Sequence, residues 1–352
     1  MDKHRHVEHS GFKGYVAEIK PLVHHEIMNR IADAERGADN DAKWFYDIVR
    51  EYPSRPSGYR RPGLVMLVAE MFGVPKEESY KIAAVIQMTQ EWVLVHDDIM
   101  DGAKVRSGLP TLHMKYGIPL SITVGDTLHM IADSMLSEFG KSAAAIGTLI
   151  SSRTYNTLLR TSEGQAMDVN FIGKSLEGVT MERYLHIVKE KTCRYSVMDP
   201  MVIGAMLANQ PENVIRALET VGAYAGVAFQ IKDDILDMIA DEAKFGKQRY
   251  GDLYEGKLTA IIIYTYQSAT QEERAMINSI YAKKREDKTA EEIRFLVETI
   301  EKYSSIEKAT ELAKSYGEQA ELALMDAFNL LPDNSFRPIF VEAIREMYTR
   351  DK

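Results

Sequence analysis

Trp92-Val93-Leu94-Val95-His96-Asp97-Asp98-Ile99-Met100-Asp101 and Val227-Ala228-Phe229-Gln230-Ile231-Lys232-Asp233-Asp234-Ile235-Leu236-Asp237 share one pattern: an apolar run closed by DDxxD. At ~100° per residue, Asp97 and Asp101 fall on one helix face about a turn apart, as do Asp233 and Asp237. Three carboxylates within one turn repel one another unless a cation lies between them. Hard oxygen ligands with gaps suit Mg²⁺, which keeps waters and shares phosphate oxygens. A single cluster of this kind is equally well a solvated helix end. Two copies, each at the polar end of an apolar stretch, favour paired helices facing across a cavity and Mg²⁺-assisted chemistry on a diphosphate.

Outward from these clusters, helical periodicity recurs from Phe12 to Tyr348, and strand-like alternation is scarce. Breaks are expected at Tyr52 to Gly58, Phe72 to Pro75, Gly102 to Pro110, Gly117-Ile118-Pro119, Ile172 to Ser175, Gln210-Pro211 and Leu331 to Asp333. No Ser/Gly-rich linker divides the chain. The expectation is one all-α domain over residues 12–352, preceded by a polar, mobile segment over 1–11. Ala282 to Lys288 reads as an exposed connection, and Thr289-Ala290-Glu291-Glu292 as a capping box opening a helix. The likeness of the two clusters fits either an internal duplication or convergence on one metal-binding pattern.

The chain has 352 residues, of which 45% are apolar, enough for a sizeable core. Its net charge of −9 argues against a nucleic-acid partner. Cys193 is the only cysteine, so no internal disulfide can form and a cytoplasmic setting is expected. No apolar run is long enough to span a bilayer, and the His-rich start lacks an apolar signal core.

Several further motifs surround the acidic clusters. His96 to Asp101 runs on through Arg106, Gly108, Pro110-Thr111 and His113, followed by Gly125-Asp126. Glu163-Gly164-Gln165 with Asp168, then Lys191-Thr192, precede the second cluster; Gly246-Lys247, Gly251-Asp252 and Gly256-Lys257 follow it. Together they resemble the trans-isoprenyl diphosphate synthases, the polyprenyl synthetase family of farnesyl and geranylgeranyl diphosphate synthases. The likeness implies a helical bundle around a central cavity, usually a homodimer. It implies an allylic diphosphate held by three Mg²⁺, with Asp97, Asp101 and Asp233 as main ligands and Asp98, Asp234, Asp237 and Asp168 around them. It gives Arg106, Lys191, Lys247 and Lys257 to the allylic diphosphate. Lys191, Thr192 and Gln230 would stabilise the allylic cation left by ionisation. The double bond of isopentenyl diphosphate would attack that cation, and the departing diphosphate would take the proton.

The family pattern is broken at the second substrate. Arg61 and Gln90 match its isopentenyl diphosphate contacts, and Arg350 lies in a tail resembling the basic terminus of some relatives. Gly58 and Ser107, however, stand where the family has a lysine and an arginine. Each lost contact is worth about 1.5–3 kcal/mol, with Arg60 and Lys104 near enough in sequence to compensate. Three readings follow: a chain-elongating synthase with a rewired second site; a class I cyclase-like enzyme, or a transferase with another acceptor; and a non-catalytic partner subunit. In the family, residues four and five before the first aspartate form the floor of the chain pocket. Those are Val93 and Trp92, and the bulk of Trp92 favours a C15–C20 product, geranylgeranyl first.

Overall fold

The computed structural model describes residues 11–239 and 249–349. Helices follow one another along almost all of it. In chain order they are α1 Gly11–Arg36, α2 Phe45–Val49, α3 Arg60–Met71, α4 Lys76–Met100, α5 Leu112–Tyr116, α6 Ile118–Ser142, α7 Ala144–Val169 and α8 Met181–Val188. A π-helical segment, Lys189–Met198, leads into α9 Asp199–Leu207 and α10 Glu212–Ile239. Then come α11 Gly251–Glu255, α12 Ala260–Ser268, α13 Gln271–Tyr281, α14 Ala290–Lys302, α15 Ser305–Ala327 and α16 Phe336–Thr349. A two-stranded antiparallel hairpin, Val105–Arg106 with Leu109–Pro110, interrupts the helices after the first acidic cluster. The expected all-α class is met.

The expected breaks fall between helices or at their starts. Pro119 occupies the first turn of α6, where its missing N–H costs nothing. One boundary is silent in the sequence. From Met181 to Leu207 the chain passes from α to π to α geometry, with Pro200 in the first turn of α9. The expected capping box is present: Glu292 N–H donates to Thr289 Oγ1 (3.3 Å) and Thr289 N–H donates to Glu292 Oε2 (3.0 Å). Thr270 and Glu273 form a second one at α13.

Two expectations need correction. Gly11 belongs to α1 rather than to the polar start; residues 1–10 lie outside the described residues. The connection Ala282 to Lys288 is not simply exposed. Lys288 is buried and donates to the carbonyls of Leu253 (2.9 Å) and Tyr254 (2.8 Å). Arg285 donates to the carbonyl of Asp101 (3.3 Å). A charged stretch reads as surface, but these cations bond carbonyls at the ends of helices.

Two apolar cores result. One gathers α1, α3, α4, α6 and α16; the other gathers α8, α12, α13 and α14. Helix α10 serves both, giving Val221 and Ala225 to the first, and Val227 and Ile231 to the second. Its acidic end packs on the second core through Ile235 and Met238. No helix among the described residues is long and apolar enough to cross a membrane.

Candidate active site

A cavity of about 980 Å³ opens between α3, α4, α7, the π-helical segment and α10. Asp97 and Asp168 line one side; Asp233, Asp234 and Asp237 line the other. The two acidic motifs thus converge. Lys257, beyond the second motif, donates to Asp101 Oδ2 of the first at 2.7 Å and lies 2.6 Å from Glu255 and 3.7 Å from Asp252.

The first wall is braced from α7 and the π-helical segment. Gln165 Nε2 donates to Asp97 Oδ1 at 3.2 Å. Lys191 donates to Asp168 and stands 3.7 Å from Asp97. This approach requires Gly164, because a Cβ there would lie 2.3 Å from the Lys191 amide nitrogen. Gly125 acts similarly behind the wall, since a Cβ would meet His96 Nε2 at 2.2 Å. The Gly-Asp pair therefore makes room for the ring preceding Asp97.

On the second wall, Asp234 accepts from Tyr184 Oη (2.7 Å) and Gln230 Nε2 (2.8 Å). Asp237 Oδ2 accepts from the Asp252 backbone N–H at 3.1 Å. Gln230 commits its nitrogen to Asp234, so the dipole it can turn on the cavity is that of its oxygen. Thr192 is buried and lines the same cavity.

Asp98 stands apart from the other acidic residues. Rotated ~100° from Asp97, it is fully buried, does not line the cavity and is gripped by Arg106 and Tyr52. Arg106 does line the cavity, 3.8 Å from Asp97, yet its guanidinium is already paired to Asp98. The structure thus casts Asp98 as the residue that orients Arg106, because its lone pairs are already used. Lys247 and Arg350 lie outside the described residues.

Electrostatics favour a cation between the walls. Burial, and then repulsion by Asp97, push Asp101 up to about 7 despite Lys257. Burial likewise pushes Asp234 up to about 7, against its hydrogen bonds from Gln230 and Tyr184. Burial would lower Lys257, but Asp101, Glu255 and Asp252 hold it well above the ordinary range. Among the described residues no three carboxylates converge on a ready-made ion site. Mg²⁺ takes one or two carboxylates and completes its shell with water and phosphate oxygens, a coordination that spaced carboxylates such as Asp97 and Asp233 could supply.

The rest of the cavity mixes apolar side chains with cations. Trp92 and Val93 line it on α4, and Trp92 stacks on His129 of α6 with ring centroids 4.5 Å apart. At another end are Arg61 and Gln90. Arg61 donates to Ser196 Oγ (2.6 Å) and Tyr195 Oη (3.2 Å). Gln90 Oε1 is buried with no hydrogen-bond partner among the described residues.

A family model described as "Polyprenyl synthetase" matches residues 42–300. The chain is 32% identical over 316 residues to a geranylgeranyl diphosphate synthase of Sulfolobus acidocaldarius, covering 89% of this chain and 92% of that one. The chain belongs to the polyprenyl synthetase family. A second geranylgeranyl diphosphate synthase, from Saccharolobus solfataricus, is 35% identical over 74% of this chain and 77% of its own. The crystal structure of a geranylgeranyl pyrophosphate synthetase from Pyrococcus horikoshii superimposes with a TM-score of 0.80 at 28% identity, covering 97% and 98% of the two chains. The protein is accordingly a prenyl-transferring enzyme of the trans-isoprenyl diphosphate synthase type.

Several polar residues of this synthase's cavity carry no distinct signal in the sequence. Gln165 and Asp252 lie inside the motifs around the acidic clusters, and spacing alone gives them no role. Glu91 and Tyr184 had no signal, because one titratable residue in an amphipathic helix looks like any other. Only the tertiary packing turns them inward.

Proposed function

We propose that this synthase condenses an allylic diphosphate with isopentenyl diphosphate to give a C15–C20 prenyl diphosphate, geranylgeranyl diphosphate first. The observation that carries this reading is the cavity itself: opposed carboxylates at one part, tied through Lys257, and Trp92 and Val93 in the wall. Three Mg²⁺ are expected, held by Asp97, Asp101, Asp168, Asp233, Asp234 and Asp237. When bound, these ions neutralise the diphosphate and the charge that develops as it leaves.

The remaining steps fall to the chain's own residues. Lys191 and Lys257 exchange carboxylate partners for phosphate oxygens, bonds in which both partners are charged. Arg106, oriented by Asp98, presents its remaining N–H edge to the same group. As the allylic C–O bond lengthens, Thr192 and Gln230 turn oxygen dipoles toward the cation in a site shielded from water. Arg61 and Gln90 then hold the acceptor so that its double bond faces the cation. Loss of a proton from the adduct restores a double bond, and the released diphosphate accepts that proton.

Residues 12–352 are proposed to act as one unit, because α10 ties both cores to the site. A cytoplasmic homodimer is also proposed. Ile122 and Met130 on α6, with Leu149 and Leu159 on α7, are exposed and offer an apolar face. Incubation with dimethylallyl, geranyl or farnesyl diphosphate, with and without isopentenyl diphosphate, tests the reading. Elongated diphosphates support it. Hydrocarbon or alcohol formed without isopentenyl diphosphate would instead indicate a cyclase, and no turnover a partner subunit.

A further inference from the structure

Glu91 sits on α4 just before Trp92 and is 3% exposed, yet it lines the cavity at the Arg61–Gln90 end. It belongs to neither the metal-binding walls nor the apolar wall. Gln87 Nε2 donates to its Oε1 at 2.5 Å and lies 3.3 Å from Ser57 Oγ. The charges acting on it are Arg61 from α3, Arg55 from the preceding turn and Arg106 from the hairpin. Arg55 donates to the carbonyls of Arg106 (3.1 Å) and Pro110 (2.7 Å). Tyr59, which also lines the cavity, is a phenol kept neutral by burial and by Glu91; Lys20 lies over its ring and His24 at its hydroxyl.

This end is therefore two cations short, at Gly58 and Ser107, and carries a carboxyl group as well. An ionised carboxylate there would repel a diphosphate across a low-dielectric gap. A carboxylic acid has one O–H to donate, and can bind it. We infer that Glu91 is a specificity-determining residue of the acceptor site, receiving the second substrate's diphosphate as a neutral acid that donates to a phosphate oxygen, and opposing that substrate once ionised. The inference rests on the reading of this end as the isopentenyl diphosphate site.

Burial, opposed by Gln87 and the three arginines, pushes Glu91 up to about 7. The binding form is the protonated one. Acceptor affinity is therefore full below that pH and is lost as the pH rises through it, with KM climbing about tenfold per unit above. The allylic substrate, bound at the aspartate walls, escapes this dependence.

The test is the pH profile, from 6 to 9, of KM for isopentenyl diphosphate in the full-length enzyme with Mg²⁺ and a fixed allylic diphosphate. Wild type is compared with Glu91→Gln and Glu91→Met; the titration of isopentenyl diphosphate itself is common to all three. We expect the wild-type KM to rise about tenfold per unit above 7 relative to both variants, the effect falling on acceptor KM rather than kcat. Glu91→Gln, which keeps a donor, should hold the lower KM, and Glu91→Met decides the matter if the first does not fold. The same slope in wild type and variants overturns the inference alone. A wild type that turns over allylic diphosphate but never uses isopentenyl diphosphate overturns the functional reading, and this inference with it.

Discussion

Trp92 carries the expectation about chain length, and its surroundings say how it can do so. Its ring is held against His129 rather than left to swing, and its indole nitrogen is buried with no hydrogen-bond partner among the described residues. A pinned aromatic wall stops a growing chain better than a mobile one. Trp92→Ala should lengthen the product by about one isoprene unit, the depth of one helix turn at ~1.5 Å per residue. Chromatography of the dephosphorylated products measures this, and an unchanged distribution would remove Trp92 from the wall. Gly58 and Ser107 make the opposite kind of test, adding what is missing. A Cβ at Gly58 would meet Arg60 Nη1 at 3.0 Å, the end of a long side chain rather than backbone, so the Arg60 guanidinium must shift to admit a lysine. Gly58→Lys with Ser107→Arg should lower KM for isopentenyl diphosphate by about 10²-fold, from two charged hydrogen bonds. An unaltered KM would mean that Glu91 and its neighbours have remodelled the site beyond those two positions.

The π-helical segment Lys189–Met198 is the element on which the site turns. Its wider turn sets Lys191 and Thr192 against the cavity, and such segments gather at functional sites. Helix α7 reaches it only because Gly164 has no side chain. Gly164→Ala should push α7 and the segment apart, moving Asp168 and Gln165 relative to Lys191. A misplacement near 1 Å costs about 10²-fold in rate. The expected outcome is a kcat loss of that order with the far-ultraviolet circular dichroism of a folded helical protein. Full activity in this variant would mean that the close approach has no catalytic consequence. By contrast the capping boxes at Thr270 and Thr289 each fix the start of a helix and contribute about 1 kcal/mol to stability.

Across the whole molecule, two cores share one long helix, and the charged ends of α4 and α10 line one cavity. Burying carboxylates together costs stability that a cation with its phosphate ligand can restore. Mg²⁺ with inorganic diphosphate should therefore raise the melting temperature far more than either alone. At a hundredfold excess over Kd the gain is about 2.7 kcal/mol by linkage. Chelation should reverse it and abolish turnover, and a melting temperature indifferent to the pair would count against the two-walled ion site. Much of this was legible in the chain. The repeated DDxxD, the punctuation by Gly and Pro, and the flanking lysines are local signals, and local spacing on a helix decides which carboxylates share a face. What remained illegible was which polar side chains are spent on one another. Asp98 shares the DDxxD with Asp97, yet it turns away to hold Arg106. Lys288 and Arg285 read as surface charge, but Lys288 bonds carbonyls of the short helix after the second cluster and Arg285 the carbonyl of Asp101 in the first. Glu91, one residue before Trp92, has no local mark at all. Helical class, the two acidic faces and the family were set by the sequence alone, because they depend on periodicity and short-range pattern. Partner choice, burial and the shift of each titratable group were decided only by the tertiary structure, because a charge's energy depends on what is packed around it from distant parts of the chain.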